Sequence, residues 1–476
     1  MALTPCIVGF DFGTTSLSAV VINPEKKRIE KDLCYTTNAY LPFDDARRKE
    51  QSLPVLLDLF HKMLDEIHTV KDIQIVSYGF TGQMHGIIGL NDKKEAVTNL
   101  VTWQDKSGSL ILPSGKSILE KVQNSSDSTL AEGYGIITLY KWINYEKRTD
   151  IVSFCTVADY FAAQLAQSKP EIMSICNAHS IGLFNNYTFE WNKASIGKLN
   201  LDQINFPEIT ATPKVIGYAQ QNNKKIPVVC AIGDNQASFL GSVINPSESI
   251  LLNAGTGTQL SCLINKEEIN IYEKYADGFE TQIRPYNETS YLLATSFING
   301  GSVYKALFNF FKEAGMQLFG ITDIDESTLW NRMEKAGQSI LDNETGLHVS
   351  PLLDGQRKDL SQKGSITGLT ASYFHPGYFV TGFLKGLAEY YKSGYFPELE
   401  TRTKYICGSG NGLKRNTLFR HIIEQTFGCP LYTVSYNEEA AVGAALNGAI
   451  AIGIVNKDNC GHFLSELSES ESVHTI

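Results

Sequence analysis

The order of apolar and polar residues near the start of the chain predicts two strands around a turn, followed by a helix. Residues 7–10 and 18–22 are apolar runs on either side of the polar turn 11–16. Between residues 54 and 70, apolar side chains recur at spacings of three and four, which is the period of a helix with one buried face. That face consists of Leu56, Leu59, Phe60, Met63, Leu64 and Ile67.

Strands and helices then alternate along the chain. Residues 73–80 form an apolar run that ends at Thr81 and Gly82, and residues 228–232 form another that leads into a helical pattern at 234–243. Alternation of this kind favours an α/β core, in which binding groups collect at the ends of strands.

The strand–turn–strand pattern begins again near residue 248, which indicates a weak internal duplication. The predicted elements are strands at 249–253, 259–264 and 291–297, a helix at 303–314, a strand at 404–407, and helices at 416–427 and 436–452. Ser435 and Glu438 have the spacing of a capping box at the start of the last helix. We expect an N-terminal domain at 1–245, a C-terminal domain at 246–463, and a polar, acidic and disordered tail at 464–476.

The composition is that of an ordinary globular protein, and it argues against some functions. The chain has 476 residues, of which 43% are hydrophobic, and a net charge of −10. This acidic balance argues against nucleic-acid binding, but not against binding a small phosphate through backbone amides and a cation. The nine cysteines have no regular spacing, so we expect reduced thiols. No apolar stretch approaches the roughly 20 residues of a membrane span, so we expect a soluble, cytoplasmic protein without membrane contact. The sequence leaves open whether it is a monomer or a homodimer.

Two short turns, one in each half, carry residues suited to binding phosphate. Asp11 follows an apolar run and is suited to hold Mg²⁺, while Gly13, Thr14 and Thr15 provide a tight turn with hydroxyl and amide donors. In the second half, residues 254–258 form a similar Gly-Thr turn. Each turn alone is equally well explained as an ordinary hairpin. As a pair, they suggest two turns that hold one polyphosphate from opposite sides of a cleft.

One carboxylate and several polar side chains suit the acceptor of a phosphoryl transfer. Asp234 stands between an apolar strand and a helix. It either caps that helix or takes the proton from an attacking hydroxyl. Residues 81–86 and 101–105 offer hydrogen-bonding groups and one flat aromatic surface, Trp103, for a polyhydroxylated substrate. A lone His or Trp is more often structural, so each of these residues alone is a weak signal.

The glycine-rich loop at 408–416 is the candidate site for the nucleotide base. It has neither the P-loop pattern nor the GxGxxG spacing. An ordinary loop at the entry to a helix is therefore an equally good interpretation.

Taken together, the motifs resemble the FGGY family of carbohydrate kinases, in the same order and over nearly the whole chain. The matching stretches are residues 10–16, 82–86, 103–105, 233–236, 255–256, 408–410 and 439–445. The resemblance implies an α/β fold of two ribonuclease-H-like domains, of the actin and hexokinase type, which flank a catalytic cleft and close over it. It also implies ATP and Mg²⁺ as cofactors and a small-molecule ketose as substrate.

The resemblance also assigns roles to matching positions of this chain. It implies Asp234 as the catalytic base and Asp11 as the residue that holds Mg-ATP. It implies a sugar site that consists of Gln83, Met84, His85, Trp103, Asp105 and Gln236. It implies nucleotide binding by Gly13, Thr14, Thr15, Gly255, Thr256, Gly300, Gly408, Gly410 and Asn416.

Within the family, the sequence is most similar to the kinases of sedoheptulose. Residues 101–105, 233–238, 299–301 and 326–333 carry that likeness, and Ser107 stands where xylulose kinases usually have an Arg. The expected reaction is ATP-dependent phosphorylation of a ketose at its terminal primary hydroxyl. Sedoheptulose is the best candidate, and xylulose or another pentulose is the alternative.

Two questions stay open at this point. Residues 176–179 depart from the family pattern, so the far wall of the sugar site is undefined. A non-enzymatic, ATP-responsive interaction protein of the same superfamily is the other interpretation of the phosphate-binding turns.

Overall fold

The computed structural model describes residues 3–126, 129–255, 257–276, 280–341, 343 and 346–473. The strands are β1 (Thr4–Phe12), β2 (Ser16–Asn23), β3 (Arg28–Thr36), β4 (Glu50–Gln51), β5 (Ile73–Gly82), β6 (Ile88–Leu90), β7 (Leu100–Val101), β8 (Ser153–Cys155), β9 (Ile172–Ser174), β10 (Phe184–Asn185), β11 (Glu190–Trp191), β12 (Glu208–Thr210), β13 (Val215–Gln221), β14 (Lys224–Val229), β15 (Ile232–Gly233), β16 (Ser249–Ala254), β17 (Thr258–Asn265), β18 (Thr281–Pro285), β19 (Ser290–Phe297), β20 (His348–Ser350), β21 (Ser365–Thr367), β22 (Tyr405–Ser409) and β23 (Leu431–Thr433).

The α-helices are α1 (Leu53–His68), α2 (Ile118–Gln123), α3 (Gly135–Tyr140), α4 (Val157–Leu165), α5 (Ile175–Ile181), α6 (Lys193–Lys198), α7 (Asp234–Leu240), α8 (Ile269–Tyr272), α9 (Gly301–Phe319), α10 (Glu326–Gln338), α11 (Pro376–Ser393), α12 (Pro397–Glu400), α13 (Asn411–Lys414), α14 (Thr417–Phe427), α15 (Glu439–Ala451) and α16 (Cys460–Val473). Short 3₁₀-helical turns lie at Ser107–Ser109, Lys266–Glu268, Glu273–Tyr275 and Lys457–Asn459, and a π-helical turn at Lys141–Tyr145 extends α3.

The chain folds into two compact units. Unit 1 comprises Met1–Ile244, Arg284–Leu292 and Ser435–Ile476, and unit 2 comprises Asn245–Ile283 and Leu293–Val434. Unit 1 therefore includes the hairpin between β18 and β19 as well as the C-terminal segment. Among the described residues, no helix combines the length and the apolar character needed to cross a membrane. All nine cysteines are free thiols.

The main sheet of unit 1 has the strand order β13-β14-β5-β1-β2-β3, and β15 also pairs with β5. β1 and β2 are antiparallel, as are β2 and β3, whereas β5 runs parallel to β1 and to β14. The central strands are apolar on both faces because helices cover them. On one face, Phe10 and Phe12 pack against Phe60 of α1, with ring centroids 5.1 and 5.6 Å apart.

Helix α1 follows the predicted apolar period. It runs from Leu53 to His68, and the buried residues include Leu56, Phe60 and Ile67 of the expected face. Ser52 caps its start by accepting a hydrogen bond from the N–H of Val55, and a proline stands in its first turn. Both features are typical of helix starts, so the residues next to Leu53 determine where α1 begins.

Helix α15 covers the other face of the unit 1 sheet, and its backbone approaches too closely for side chains on the strands. A methyl group added at Gly79 would lie 1.8 Å from the carbonyl oxygen of Ala444, and one at Gly9 would lie 2.0 Å from that of Ala441. Glycine on the strands and alanine on the helix let the two backbones come into contact. This close packing explains why α15 consists mainly of small residues.

The sheet of unit 2 has the strand order β18-β19-β17-β16-β22-β23. Its first strand, β16, pairs antiparallel with the strand that follows it, β17, and parallel with the later strand β22. In unit 1, β1 pairs with β2 and β5 in the same two ways. The internal duplication expected from the sequence is therefore visible in the topology.

The C-terminal segment differs from the sequence-based expectation. Instead of a disordered tail from residue 464, α16 continues to Val473, because Leu464 and Leu467 give it an apolar side that is fully buried. Residues 474–476 lie outside the described residues. Unit 2 ends at Val434, and not at residue 463 as the expected C-terminal domain does. The physical reason is α15, whose small residues pack onto the unit 1 sheet.

Candidate active site

Three strands of the unit 1 sheet bring predicted site residues to one edge. In the ladders, Asp11 of β1 is the partner of Thr81 of β5, and Thr81 is also the partner of Ile232 of β15. These three strands run parallel. The turn after β1, the loop that begins at Gln83, and Asp234 at the start of α7 therefore leave the sheet at the same edge, where α/β proteins bind their ligands.

Asp11 lies in a negative environment at this edge. Its Oδ1 atom is buried and has no hydrogen-bond partner among the described residues. Burial, and then the negative charges of Asp234 and Glu438, raise the pKa of Asp11 from 3.8 to about 8. An oxygen ligand without a partner, close to other carboxylates, fits a hard divalent cation such as Mg²⁺. Asp11 is the residue that would hold it.

Asp234 is the first residue of α7, and the preceding Gly233 occupies the capping position. Oδ1 of Asp234 accepts a hydrogen bond from the backbone N–H of Asn235 at 2.7 Å. Burial raises the pKa of Asp234 from 3.8 to about 6, while the charge of Arg284 and that N–H oppose the rise. The carboxylate is therefore ionised at neutral pH and still basic enough to accept a proton.

Arg284 is a functional candidate that the sequence motifs do not indicate. It lies near the end of β18, in the hairpin that belongs to unit 1, and only 8% of it is exposed. Its Nη1 donates to Oδ1 of Asn235 at 3.2 Å, and its charge favours the ionised form of Asp234. The carbonyl of the next residue, Pro285, accepts a hydrogen bond from Nε2 of Gln236 at 3.0 Å. The strand that contains Arg284 mixes polar and apolar residues, so no pattern in the sequence marks this side chain.

A chain of hydrogen bonds joins the predicted sugar and phosphate residues. Nε2 of Gln83 donates to Oε1 of Gln51 at 2.9 Å, and Nε2 of Gln51 donates to the carbonyl of Thr14 at 2.7 Å. The indole Nε1 of Trp103 donates to the hydroxyl of Thr14 at 2.9 Å. The turn that contains Gly13, Thr14 and Thr15 is thus fixed from two sides. Gln51 was missed because it lies in a two-residue strand that carries no motif.

Met84 and His85 belong to the same edge. Met84 packs against Gly233: a methyl group added at Gly233 would lie 2.8 Å from Sδ of Met84. The N–H of His85 donates to the hydroxyl of Ser180 in α5 at 3.1 Å, and its Nδ1 lies 2.8 Å from the carbonyl of Ser180. The ring of His85 stacks on Tyr134, with 4.4 Å between the centroids. Tyr134 is a second aromatic surface that the motifs do not indicate.

Two glutamines present unsatisfied acceptors, whereas Asp105 does not. The Oε1 atoms of Gln83 and Gln236 are buried and have no hydrogen-bond partner among the described residues. Asp105 is 2% exposed, and its two carboxylate oxygens accept the N–H groups of Lys49 at 2.9 Å and Ser107 at 2.8 Å. Its observed contacts are structural, and its place in the sugar site stays a prediction.

The predicted nucleotide residues of unit 2 lie around the ends of two parallel strands. The ladder of β16 and β22 pairs Asn253 with Ser409, so the loops that follow these strands leave at one edge. The carbonyl of Gly255 accepts a hydrogen bond from the N–H of Gly301 at 2.9 Å. This bond places the start of α9, which follows Gly300, next to the turn at Gly255.

The other predicted residues of unit 2 have mixed surroundings. Gly410 has a φ of 79°, and a methyl group there would lie 2.6 Å from a backbone carbonyl oxygen of β16, so only glycine fits. Gly408 is buried within β22. The side chain of Asn416 caps α14 by accepting the N–H of Phe419 at 2.9 Å. Thr256 lies outside the described residues.

Family models of known proteins match most of the chain. The N-terminal domain of the FGGY family of carbohydrate kinases matches residues 6–241, and its C-terminal domain matches residues 251–452. Sedoheptulokinase from Homo sapiens is 26% identical over 94% of this chain and 98% of the relative.

Solved structures show the same fold at lower sequence identity. The xylulose kinase from Rhodospirillum rubrum superimposes with a TM-score of 0.78 at 16% identity, over 98% of both chains. The glycerol kinase of Plasmodium falciparum with ADP gives a TM-score of 0.75 at 17% identity, over 99% of this chain and 96% of that one. The predicted α/β fold of two actin- and hexokinase-like domains is confirmed.

Proposed function

Because the chain belongs to the FGGY family of carbohydrate kinases, we propose that it transfers the γ-phosphoryl group of ATP to the terminal primary hydroxyl of a ketose, sedoheptulose. Sugar kinase activity, dependence on ATP and a small-molecule sugar substrate come with the family. The choice of sedoheptulose is supported by the likeness to the human sedoheptulokinase, which extends over nearly the full length of both chains.

The carboxylate of Asp234, at the same edge of the sheet as Asp11 and Gln83, is the observation that carries this proposal. With a pKa of about 6 it is ionised at neutral pH, so it takes the proton of the sugar hydroxyl as that oxygen attacks the γ-phosphorus. The bond from phosphorus to the bridging oxygen breaks in the same transfer, and ADP leaves with the electron pair. Arg284 keeps the carboxylate charged, and the N–H of Asn235 fixes its orientation.

The remaining residues bind and orient the two substrates. Asp11 would hold Mg²⁺, which neutralises negative charge on the phosphates. The turn at Gly13, Thr14 and Thr15 would donate hydrogen bonds to phosphate oxygens, and the turn at Gly255 is likewise predicted to bind nucleotide phosphate. The unpartnered Oε1 atoms of Gln83 and Gln236 are suited to accept hydrogen bonds from sugar hydroxyls.

A coupled assay of ADP release with a panel of sugars tests the proposal. At saturating Mg-ATP, sedoheptulose should give a higher kcat/KM than xylulose, ribulose or glycerol. Higher kcat/KM with a pentulose would reassign the substrate, and ADP release that no sugar stimulates would contradict the proposed reaction.

Two Asp→Asn variants separate the role of Asp234 from a general effect of losing a carboxylate whose pKa is raised. Asp234→Asn should lower the sugar-dependent kcat by about 10²- to 10⁴-fold, the usual contribution of a general base, with little change in the Kd for ADP. The matched control is Asp159→Asn in α4, which removes a buried carboxylate that hydrogen-bonds Thr156. Its kcat should stay within about threefold of wild type, because neither Thr156 nor Asn177, the two side chains that donate to this carboxylate, is a predicted site residue.

A further inference from the structure

One side of α5 faces the groups that surround the sugar site. Residues three and four apart share a helix face, so Cys176, His179 and Ser180 project together. The thiol of Cys176 donates to the carbonyl of Tyr286 in the unit 1 hairpin at 3.6 Å. The hydroxyl of Ser180 accepts the N–H of His85 at 3.1 Å. His179 therefore projects toward the hairpin and the His85 loop.

The imidazole of His179 has one nitrogen without a partner. Its Nδ1 lies 3.1 Å from Oδ1 of Asn186, and since an amide oxygen only accepts, Nδ1 carries the proton and donates. Its Nε2 is buried and has no hydrogen-bond partner among the described residues. Burial, and then the charge of Arg284, lower the pKa of His179 from 6.5 to about 4. The ring is neutral at physiological pH, and Nε2 is an acceptor that lacks a donor.

Arg284 connects His179 with the reacting end of the site. Its charge acts on the imidazole of His179 and also on the carboxylate of Asp234. Its Nη1 donates to Asn235, the residue after Asp234. The imidazole of His179 and the carboxylate of Asp234 therefore both lie close enough to Arg284 to be affected by its charge. His179 also belongs to residues 176–179, which the sequence motifs left undefined.

We propose that Nε2 of His179 accepts a hydrogen bond from a hydroxyl group of the ketose and so helps to select the substrate. The inference rests on the proposed function, which supplies a polyhydroxylated ligand. A neutral O–H donor fits this place because the positive charge of Arg284 disfavours a cationic donor there. A ligand without the correct hydroxyl would leave the buried Nε2 unpaired, so its binding free energy would be less favourable.

Two substitutions test the contributions of the two ring nitrogens of His179 independently. In His179→Asn, the amide nitrogen takes the place of Nδ1 and keeps the bond to Asn186, while nothing replaces Nε2. In His179→Gln, the longer side chain places an amide oxygen near the position of Nε2, while the bond to Asn186 is lost. Calorimetric titration with sedoheptulose, without ATP, should show a Kd about tenfold higher in the Asn variant and within about threefold of wild type in the Gln variant. The Kd for ADP should not change in either.

The outcomes decide between a ligand contact and a structural contact. A loss of affinity in the Gln variant but not in the Asn variant would assign His179 a structural role through Asn186 and overturn the proposal. Equal losses in both variants, or no loss in either, would overturn it as well. If wild type binds the ketose without phosphorylating it, the proposed reaction fails while the binding series still tests His179. If wild type binds none of sedoheptulose, xylulose and ribulose, both proposals fail.

A third test uses the wild-type protein, so its result does not depend on whether a variant folds. With ¹⁵N-labelled histidine, the Nε2 resonance of His179 should shift when sedoheptulose is added, because Nε2 gains a hydrogen bond. The Nδ1 resonance should move much less, since its bond to Asn186 is already present. An Nε2 resonance that does not move at saturating ketose would overturn the proposal.

Discussion

Replacing Asp234 by Asn should raise the stability of the protein while it removes activity. Burial raises the pKa of Asp234 from 3.8 to about 6, even though Arg284 favours the charged form. The folded state therefore binds the proton more tightly than the unfolded chain, so ionisation of this group destabilises the folded state. One pKa unit corresponds to about 1.36 kcal/mol, so the ionised carboxylate lowers the free energy of unfolding by about 3 kcal/mol above pH 7.

This stability gain has a defined dependence on pH. It should be largest above the folded pKa of about 6 and fall as the pH approaches 3.8, where the unfolded chain also binds the proton. The gain expected at pH 5 is about half of that at pH 8. Urea-induced unfolding of wild type and Asp234→Asn at these two pH values measures it, with the exposed Asp58→Asn in α1 as the control that should change nothing. A variant less stable than wild type at pH 8, or a gain that is independent of pH, would refute the reasoning.

Three further predictions concern pH, magnesium and close packing. The kcat of wild type should fall about tenfold per pH unit below the pKa of Asp234 at about 6, because the base must be ionised; a pH–rate profile that stays flat to pH 5 would contradict this. Calorimetry with Mg-ADP should show affinity for Mg²⁺ that rises between pH 6 and 8, because Asp11, whose pKa is about 8, must release its proton to bind the cation. Gly79→Ala should lower the free energy of unfolding by about 1–3 kcal/mol or more in urea titrations, because the added methyl group would overlap the carbonyl of Ala444. Gly197→Ala in α6 is the control: the nearest atom to its added methyl group is 3.4 Å away, so the free energy of unfolding should not fall.

The sequence predicted those parts of the fold that depend on local patterns. The apolar period of α1 and the strand–turn–strand restart near residue 248 both appear in the structure, because long elements with one buried face show that face in the sequence. The packing of α15 could not be predicted in this way. A helix of small residues has no distinct apolar face, and its partners Gly9 and Gly79 are far away in the chain.

Local signals also failed where tertiary contacts compete with them. The capping box expected at Ser435 does not form, and α15 begins only at Glu439. The hydroxyl of Ser435 instead donates to the carbonyl of Ser468 in α16 at 2.7 Å. A short polar motif is satisfied by whichever partner the fold brings near, and here that partner is in a segment expected to be disordered.

The candidate site shows the same division between local and long-range information. The rule that binding groups follow strand ends was sufficient to expect Asp11, Gln83 and Asp234 at the ends of strands, and the strand pairing shows that these ends meet at one edge of the sheet. Their catalytic and binding roles stay predictions. Arg284 and Gln51 could not be found in this way, because their importance comes from contacts with residues distant in sequence and not from a motif.

The three-part composition of unit 1 has a consequence for its biosynthesis. Its first 244 residues emerge from the ribosome before the hairpin at Arg284–Leu292 and long before the segment that starts at Ser435. During all of that time the glycine-lined face of the sheet, with Gly9 and Gly79, has no α15 to cover it. The nascent chain therefore carries an uncovered sheet surface until α15 (Glu439–Ala451) has been synthesised, and exposed surface of this kind invites aggregation. A fragment that stops at residue 245 would keep this defect permanently, however natural that boundary looks in the sequence.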